Sequence, residues 1–429
     1  MIIILTLLLL ILLLFLGMPV AFSLGIAGLV GMFMAEGFDG VYSLLFTVPY
    51  RTAANYTMTV IPMFVLMAQA VSASGLVGEV FTAARRWLER MPGGMAIASI
   101  FASAGVAAMS GSSVASAATM ASIAIPEMQK HGYSARVAAG VVTAAGTLAI
   151  MIPPSVGLVL YGIVTENSIG KLLVAGVIPG VLSALIYIIG VVLWQKLQPG
   201  AMPPTTGHYT WAQRWRSLKP LWAFFILAFS VLGSIYFGYA TPTEAASVGA
   251  IGSIIIPLVQ KRWRLRDVWP AILTTIQITT MIFTIIIGAM IFGYFLTVTQ
   301  ATQHMITIIG NMNAPSWMIL GLFLVIIAAL GCMLDQLAIL LITLPLLYPV
   351  VIGLGYNPIW FGIICVKMGE IGLVTPPVGM NAYVVSASSG VPLDKVFRGV
   401  GVMLILDFIT LTLLLAFPVL STWLPSMMF

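Results

Sequence analysis

Long apolar runs separated by short polar clusters dominate the chain. They fall at 2–16, 19–34, 57–82, 94–129, 135–166, 171–196, 220–238, 243–260, 268–298, 315–352, 357–388 and 398–424. A spanning helix needs about 20 consecutive apolar residues. The runs 94–129 and 315–352 are far too long for one pass, and each has a small or polar interruption at its middle. Ser110-Gly111-Ser112-Ser113 interrupts the first, and Gly331-Cys332 through Asp335 the second. A re-entrant hairpin, entering and leaving on one side, fits both. The runs 135–166 and 357–388 are instead cut by Pro153-Pro154 and Pro376-Pro377. Tandem prolines remove two backbone donors and break a helix interior. Non-helical backbone at membrane depth is tolerated only where it is buried in protein or lines a wet cavity.

The same order of parts occurs twice. Residues 1–196 give three spans, a hairpin, a broken span and a final span, and residues 220–424 repeat it. Pro19 and Pro242, Tyr133 and Tyr356, and Pro153 and Pro376 all stand 223 positions apart. A hairpin crosses nothing, so each unit makes five crossings, and an odd number turns the second unit upside down. The expectation is an all-α polytopic membrane protein, an inverted repeat of two five-crossing units. Inverted repeats with broken helices at matching places are the architecture of secondary transporters.

Composition agrees. The chain of 429 residues is 61% hydrophobic and 7% charged, against roughly 25% charged in an ordinary soluble domain. A soluble enzyme and a nucleic-acid binder are excluded. The apolar N-terminus has no basic n-region and no A-x-A-like cleavage site, and it reads as mature chain. The formal net charge of +6 is read through topology, because Lys and Arg collect in cytoplasmic loops. If 83–93 is cytoplasmic, all 18 Lys and Arg except Arg51, Lys171 and Lys367 lie in the inside segments. Both termini are then outside, the first hairpin opens from the cytoplasm and the second from outside. The stretches around Trp87 and around Trp211 and Trp215 are amphipathic and basic and suit the interface with lipid. Cys332 and Cys365 lie inside apolar runs and make no disulfide framework.

Enzyme patterns are lacking. The chain has no H-E-x-x-H, G-x-S-x-G or Walker A sequence, and His131, His208 and His304 fall in loops. The candidate site is where hairpin tips meet broken spans. The hydroxyls of Ser110, Ser112 and Ser113 and the carbonyls of a helix end suit a hard cation such as Na⁺, while helix N-termini suit an anion. Alternatively, Gly-Ser-Ser only lets helices pack closely. Thr147 and Glu370 are equivalent under the 223 offset, and Thr375 precedes the second proline pair. Intramembrane ionisable groups are costly and mark function. Asp335, at the second tip, is a carboxylate ligand for a cation. Lys367 and Glu370, three apart, either neutralise each other or couple to an ion; Asp407 is unassigned. Glu244 caps a helix or acts in the site.

The strings GSSVASAATMASIAIPEM (111–128), GTLAIMIPPS (146–155), YGIVTENSIGKLLVAGVIPG (161–180), YATPTEAASVGA (239–250), GCMLDQLAILLITLP (331–345) and VTPPVGMNAYV (374–384) resemble the large membrane subunit of TRAP (tripartite ATP-independent periplasmic) transporters. The resemblance covers essentially the whole chain. It implies an elevator-type secondary transporter for organic acids in the bacterial inner membrane, driven by Na⁺. It also implies two partners: a small membrane subunit of about four helices, here a separate chain, and a periplasmic binding protein that delivers substrate. Residues 1–93 and 220–312 would form the scaffold. Residues 94–196 and 313–429 would form the moving transport domain, with 197–219 a cytoplasmic linker. The sodium sites carry over to Gly111, Ser112 and Ser113 with Thr147 and Pro153, and to Gly331 and Asp335 with Thr375 and Pro376. Substrate contacts carry over to Ser113, Asn381, Pro154 and Pro377. The alternative is a self-contained ion-coupled carboxylate carrier that needs no binding protein.

Overall fold

The computed structural model describes residues 1–203, 209–311 and 314–428. His208, one of the three histidines, lies outside them. Among the described residues the chain is all helix, with no strand. Eight of the described helices are long and apolar enough to cross a membrane. This is the form expected where lipid offers a backbone no hydrogen-bond partner.

The first half comprises α1 (Ile2–Phe15), α2 (Val20–Ala53), α3 (Val60–Ala73), α4 (Leu76–Leu88), α5 (Gly94–Ser110), α6 (Ser113–Lys130), α7 (Ala135–Met151), α8 (Val156–Val164) and α9 (Ile169–Leu197). The second begins with α10 (Trp211–Leu218), α11 (Trp222–Ala228) and α12 (Ser234–Tyr236). It continues with α13 (Pro242–Val259), α14 (Leu265–Val298), α15 (Ala301–Asn311), α16 (Ser316–Gly331), α17 (Gln336–Gly353), α18 (Pro358–Val374), α19 (Met380–Ser389), α20 (Leu393–Ala416) and α21 (Val419–Met428). Adding 223 to the bounds of α6 gives those of α17, and adding it to α7 gives α18. The expected hairpins are α5–α6 and α16–α17. The expected broken spans are α7–α8, bent by 42°, and α18–α19.

Two departures from the hydrophobic pattern concern the early spans. The run 19–34 continues beyond its apolar end: α2 bends at Gly37, which has φ 73°, and a second limb reaches Ala53. That limb carries Phe38, Tyr42, Phe46 and Tyr50 in an exposed stripe at four-residue spacing, which hydropathy averaging hides behind Asp39, Ser43 and Thr47. The run 57–82 is cut at Gly75, φ 77°, so that α4 is a separate amphipathic helix. On it, Trp87 meets Trp211 and Trp215 of α10 edge to face, with centroids 6.0 and 5.5 Å apart, and its indole donates to the Arg214 carbonyl. The two stretches read as interfacial are thus one paired element.

Two helices are enclosed almost completely. Every residue of α7 from Val137 to Met151 is buried, as is every residue of α18 from Trp360 to Val374. Small residues make this possible. A Cβ on Gly140 would lie 2.3 Å from the Gly399 backbone of α20, and one on Gly146 would lie 2.8 Å from Ala117 of α6. The hairpins, α9 and α20 pack around this pair. Outside them, α2 pairs with α14 and α3 with α13, contacts that the 223 offset converts into each other.

Candidate functional site

Each hairpin tip is made by a helix end, a short turn and a cap. Gly111 ends α5 with φ 58°, a conformation glycine adopts without cost, and its N–H donates to the Ala107 carbonyl. Ser112 is extended and caps α6, its hydroxyl accepting from Ala115 N at 3.4 Å. In the second hairpin α16 stops at Gly331 and Asp335 caps α17, its carboxylate accepting from Leu337 N at 3.2 Å. Asp335 is therefore the N-cap of α17 as well as the carboxylate at the second tip.

The broken spans lie against these tips. Ile152 and Thr375 leave α7 and α18 in extended conformation, and the Pro153-Pro154 and Pro376-Pro377 peptides are cis. The first pair is buried and the second exposed. Ser155 caps α8, its hydroxyl accepting from Leu158 N at 3.2 Å, and α19 starts after Gly379, φ 58°. At the first tip a Cβ on Gly111 would meet the Pro154 carbonyl at 2.9 Å. At the second, Gly379 N donates to the Cys332 carbonyl at 3.1 Å, and a Cβ on Gly331 would lie 2.9 Å from Gly372 Cα. The repeats also interlock: Ser113 Oγ donates to Asn381 Oδ1 at 3.3 Å.

Both tips face one cavity of about 510 Å³. The first tip contributes Gly111 through Ala115, the second Asp335 through Leu337. The breaks contribute Ile150, Val156, Gly157, Leu373 and Met380, and the opposite wall is Val65, Ala68 and Gln69 of α3 with Ile278, Met281 and Ile282 of α14. The N-termini of α6, α8, α17 and α19 therefore all reach the same space. Unsatisfied N–H groups and the helix dipole make each such end favourable to negative charge. Among the described residues, Asp335 is the one charged residue in the wall, and no basic side chain lines it.

Of the residues singled out from sequence, Gly111, Ser112, Ser113 and Asp335 line this cavity, and Asn381 is held one contact behind it. Pro153, Pro154, Pro376 and Pro377 form the breaks, Gly331 packs behind the second tip, and the Thr375 hydroxyl donates to the Ile371 carbonyl at 2.5 Å. Thr147 does not line the cavity. Its hydroxyl donates to the Ala144 carbonyl at 2.7 Å and lies 3.4 Å from the Tyr187 hydroxyl of α9. Gln336 and Gln69 were not singled out, although the offset that relates the repeats places Gln336 opposite Ser113. Gln336 is buried, donates to the Val366 carbonyl at 3.4 Å and leaves Oε1 unpartnered.

The profile described as "Tripartite ATP-independent periplasmic transporter, DctM component" matches residues 7–420. The chain belongs to this family. It is 36% identical over 405 residues to the C4-dicarboxylate TRAP transporter large permease protein DctM of Pseudomonas aeruginosa, covering 94% of each chain. It is 29% identical over 418 residues to the sialic acid TRAP transporter large permease protein SiaM of Vibrio cholerae, covering 96% of each. Among solved structures the Alcanivorax borkumensis YdaH transporter shares the fold, with a TM-score of 0.63 at 16% identity over 90% of this chain and 88% of that one. A TRAP large permease is a multi-pass membrane transport protein, and the resemblance read from the six motif strings is confirmed at the level of the family.

Proposed function

We propose that this permease imports a small organic acid with Na⁺, by moving the helices around α7 and α18 against a scaffold of α2, α3, α13 and α14. The observation that carries the reading is the convergence of four helix N-termini and both hairpin tips on one cavity. Such ends suit a carboxylate, and the relatives named for C4-dicarboxylate and sialic acid transport both carry carboxylate substrates.

The cavity also explains why a cation is needed. An anionic substrate enters beside Asp335 with no basic side chain in the wall among the described residues, and unpaired charge inside a membrane is expensive. Na⁺ bound at the tips offsets both charges. Carbonyl ends of α5 and α16, the hydroxyls of Ser112 and Ser113, and the carboxylate of Asp335 are ligands of the required hard type. Thr147, turned toward α9, is left out of this set. Each positive charge carried inward down roughly 100 mV contributes about 2.3 kcal/mol, so at least two Na⁺ must accompany a dianion for the potential not to oppose uptake. The small membrane subunit and the periplasmic binding protein complete the transporter, which sits in the bacterial inner membrane with both termini periplasmic.

The test is uptake into proteoliposomes. This chain alone should give no concentrative uptake of a C4-dicarboxylate or sialic acid, and adding the small subunit and binding protein should restore it in an inward Na⁺ gradient. Full uptake by the isolated chain would make it a self-contained carrier and overturn the proposal.

A further inference from the structure

A second polar centre lies in the protein interior, away from the cavity. Four helices build it. On α18, Lys367 Nζ donates to Glu370 Oε2 at 3.1 Å; across to α20 it donates to Asp407 Oδ1 at 2.7 Å. From α9, Tyr187 Oη donates to the same Asp407 oxygen at 2.5 Å, and its ring lies 5.8 Å from the lysine nitrogen. Thr147 of α7 completes the group beside Tyr187. None of the five side chains is more than 1% exposed, and none lines the 510 Å³ cavity.

The charges do not balance. One ammonium faces two carboxylates, and the phenol supplies a hydrogen bond but no charge. The other charged residues on the helices packed here are Arg136 on α7, Lys171 and Lys196 on α9, and Asp394, Lys395 and Arg398 on α20. Each is at least nine positions from the cluster along its helix, on the order of 13 Å at 1.5 Å per residue. Among the described residues, α16, α17, α19 and α21 carry no charged side chain. With both carboxylates ionised the centre would hold a net negative charge in a fully enclosed position, which proteins avoid by pairing or neutralisation.

The two carboxylates are not equally supported. Asp407 accepts from both Lys367 and Tyr187, whereas Glu370 accepts only the longer bond from Lys367. Each keeps one buried oxygen without a partner, Glu370 Oε1 and Asp407 Oδ2, so the difference lies in the bonds accepted. Hydrogen bonds given to a carboxylate favour its charged form, and their lack favours the neutral one. We propose that Glu370 holds a proton taken from solvent, so that the centre consists of a Lys367–Asp407 ion pair and a neutral carboxylic acid. The centre is a proton-binding site, separate from the sites at the hairpin tips. Because the native state then retains a proton that the unfolded chain releases near neutral pH, stability falls as pH rises.

Infrared spectroscopy of the purified full chain tests this. Wild type should show the carbonyl stretch of a protonated carboxyl, shifted by H/D exchange, that is missing from Glu370→Gln and that moves on ¹³C-labelling of glutamate side chains but not of aspartate. Identical spectra for wild type and Glu370→Gln would overturn the proposal, as would a band that moves on labelling aspartate instead of glutamate. Saturating Na⁺ at fixed pH should leave the band in place; its disappearance would make this a Na⁺ site instead. Thermal midpoints give a second readout. From about pH 7 to about pH 9 the wild-type midpoint should fall and that of Glu370→Gln, which mimics the neutral acid, should fall less. Equal slopes contradict the assignment. If Glu370→Gln does not fold, the wild-type spectrum alone decides, since absence of the band excludes the held proton.

Discussion

Ser112 and Asp335 occupy one position of a repeated hairpin, and each caps the helix that leaves its tip. The serine hydroxyl accepts from Ala115 N and the aspartate carboxylate from Leu337 N. One structural task is thus performed by a neutral group in the first repeat and a charged one in the second. The charge is the part that capping does not require, because serine, asparagine and aspartate cap about equally well.

Asp335→Asn separates the two roles. Asparagine preserves the cap and the volume, so folding and assembly should be unchanged within about 0.5 kcal/mol. The Na⁺ dependence of uptake should weaken sharply. Wild-type uptake with an unchanged Na⁺ response would reduce Asp335 to a cap. Ser112→Ala, in contrast, removes a cap and should lower the unfolding free energy by about 1 kcal/mol, measured by thermal unfolding in detergent.

Gly111→Ala tests the close contact at the first tip. The residue has φ 58° and would direct its methyl to within 2.9 Å of the Pro154 carbonyl. Left-handed backbone alone costs a non-glycine residue roughly 1–2 kcal/mol, and the contact adds to it. A fall in thermal midpoint and loss of uptake are expected. Gly355→Ala is the control: it has φ 86° but nothing within 4 Å, so it should lose stability from strain alone and retain uptake.

Topology is open to chemical labelling. In a background with Cys332→Ser and Cys365→Ala, a cysteine replacing Tyr239, which is 85% exposed, should react with an impermeant thiol reagent added to spheroplasts. A cysteine replacing Lys261 should react only after lysis. The reverse pattern would invert the protein and exchange the sides from which the hairpins open. Gly207, in the linker, lies outside the described residues, so Lys261 is the better inside probe.

Much of this architecture was legible because the hairpins and breaks violate a simple rule. An apolar run of nearly twice the spanning length, with Gly-Ser-Ser or Asp at its centre, has few other solutions. The second limb of α2 was hidden for the opposite reason: its aromatic stripe alternates with polar residues and lowers the mean hydropathy. Register brought Thr147 and Glu370 together as equivalents, and both do lie at one interior centre. It could not reveal which way they face. That depends on Tyr187 and Asp407, which are 220 positions apart and share no local pattern.

The central claim is that the cavity between the hairpin tips is where the carboxylate and Na⁺ bind. Ala118 of α6 lines it, is not part of either tip, and stands opposite α3 and α14. The most direct measurement is Na⁺-driven uptake by the full three-component transporter carrying Ala118→Phe, with folding checked by thermal unfolding. A folded, assembled variant whose uptake falls by at least about tenfold, equivalent to roughly 1.4 kcal/mol, is the predicted result. Uptake at the wild-type rate, with the same Na⁺ dependence, would place the substrate elsewhere.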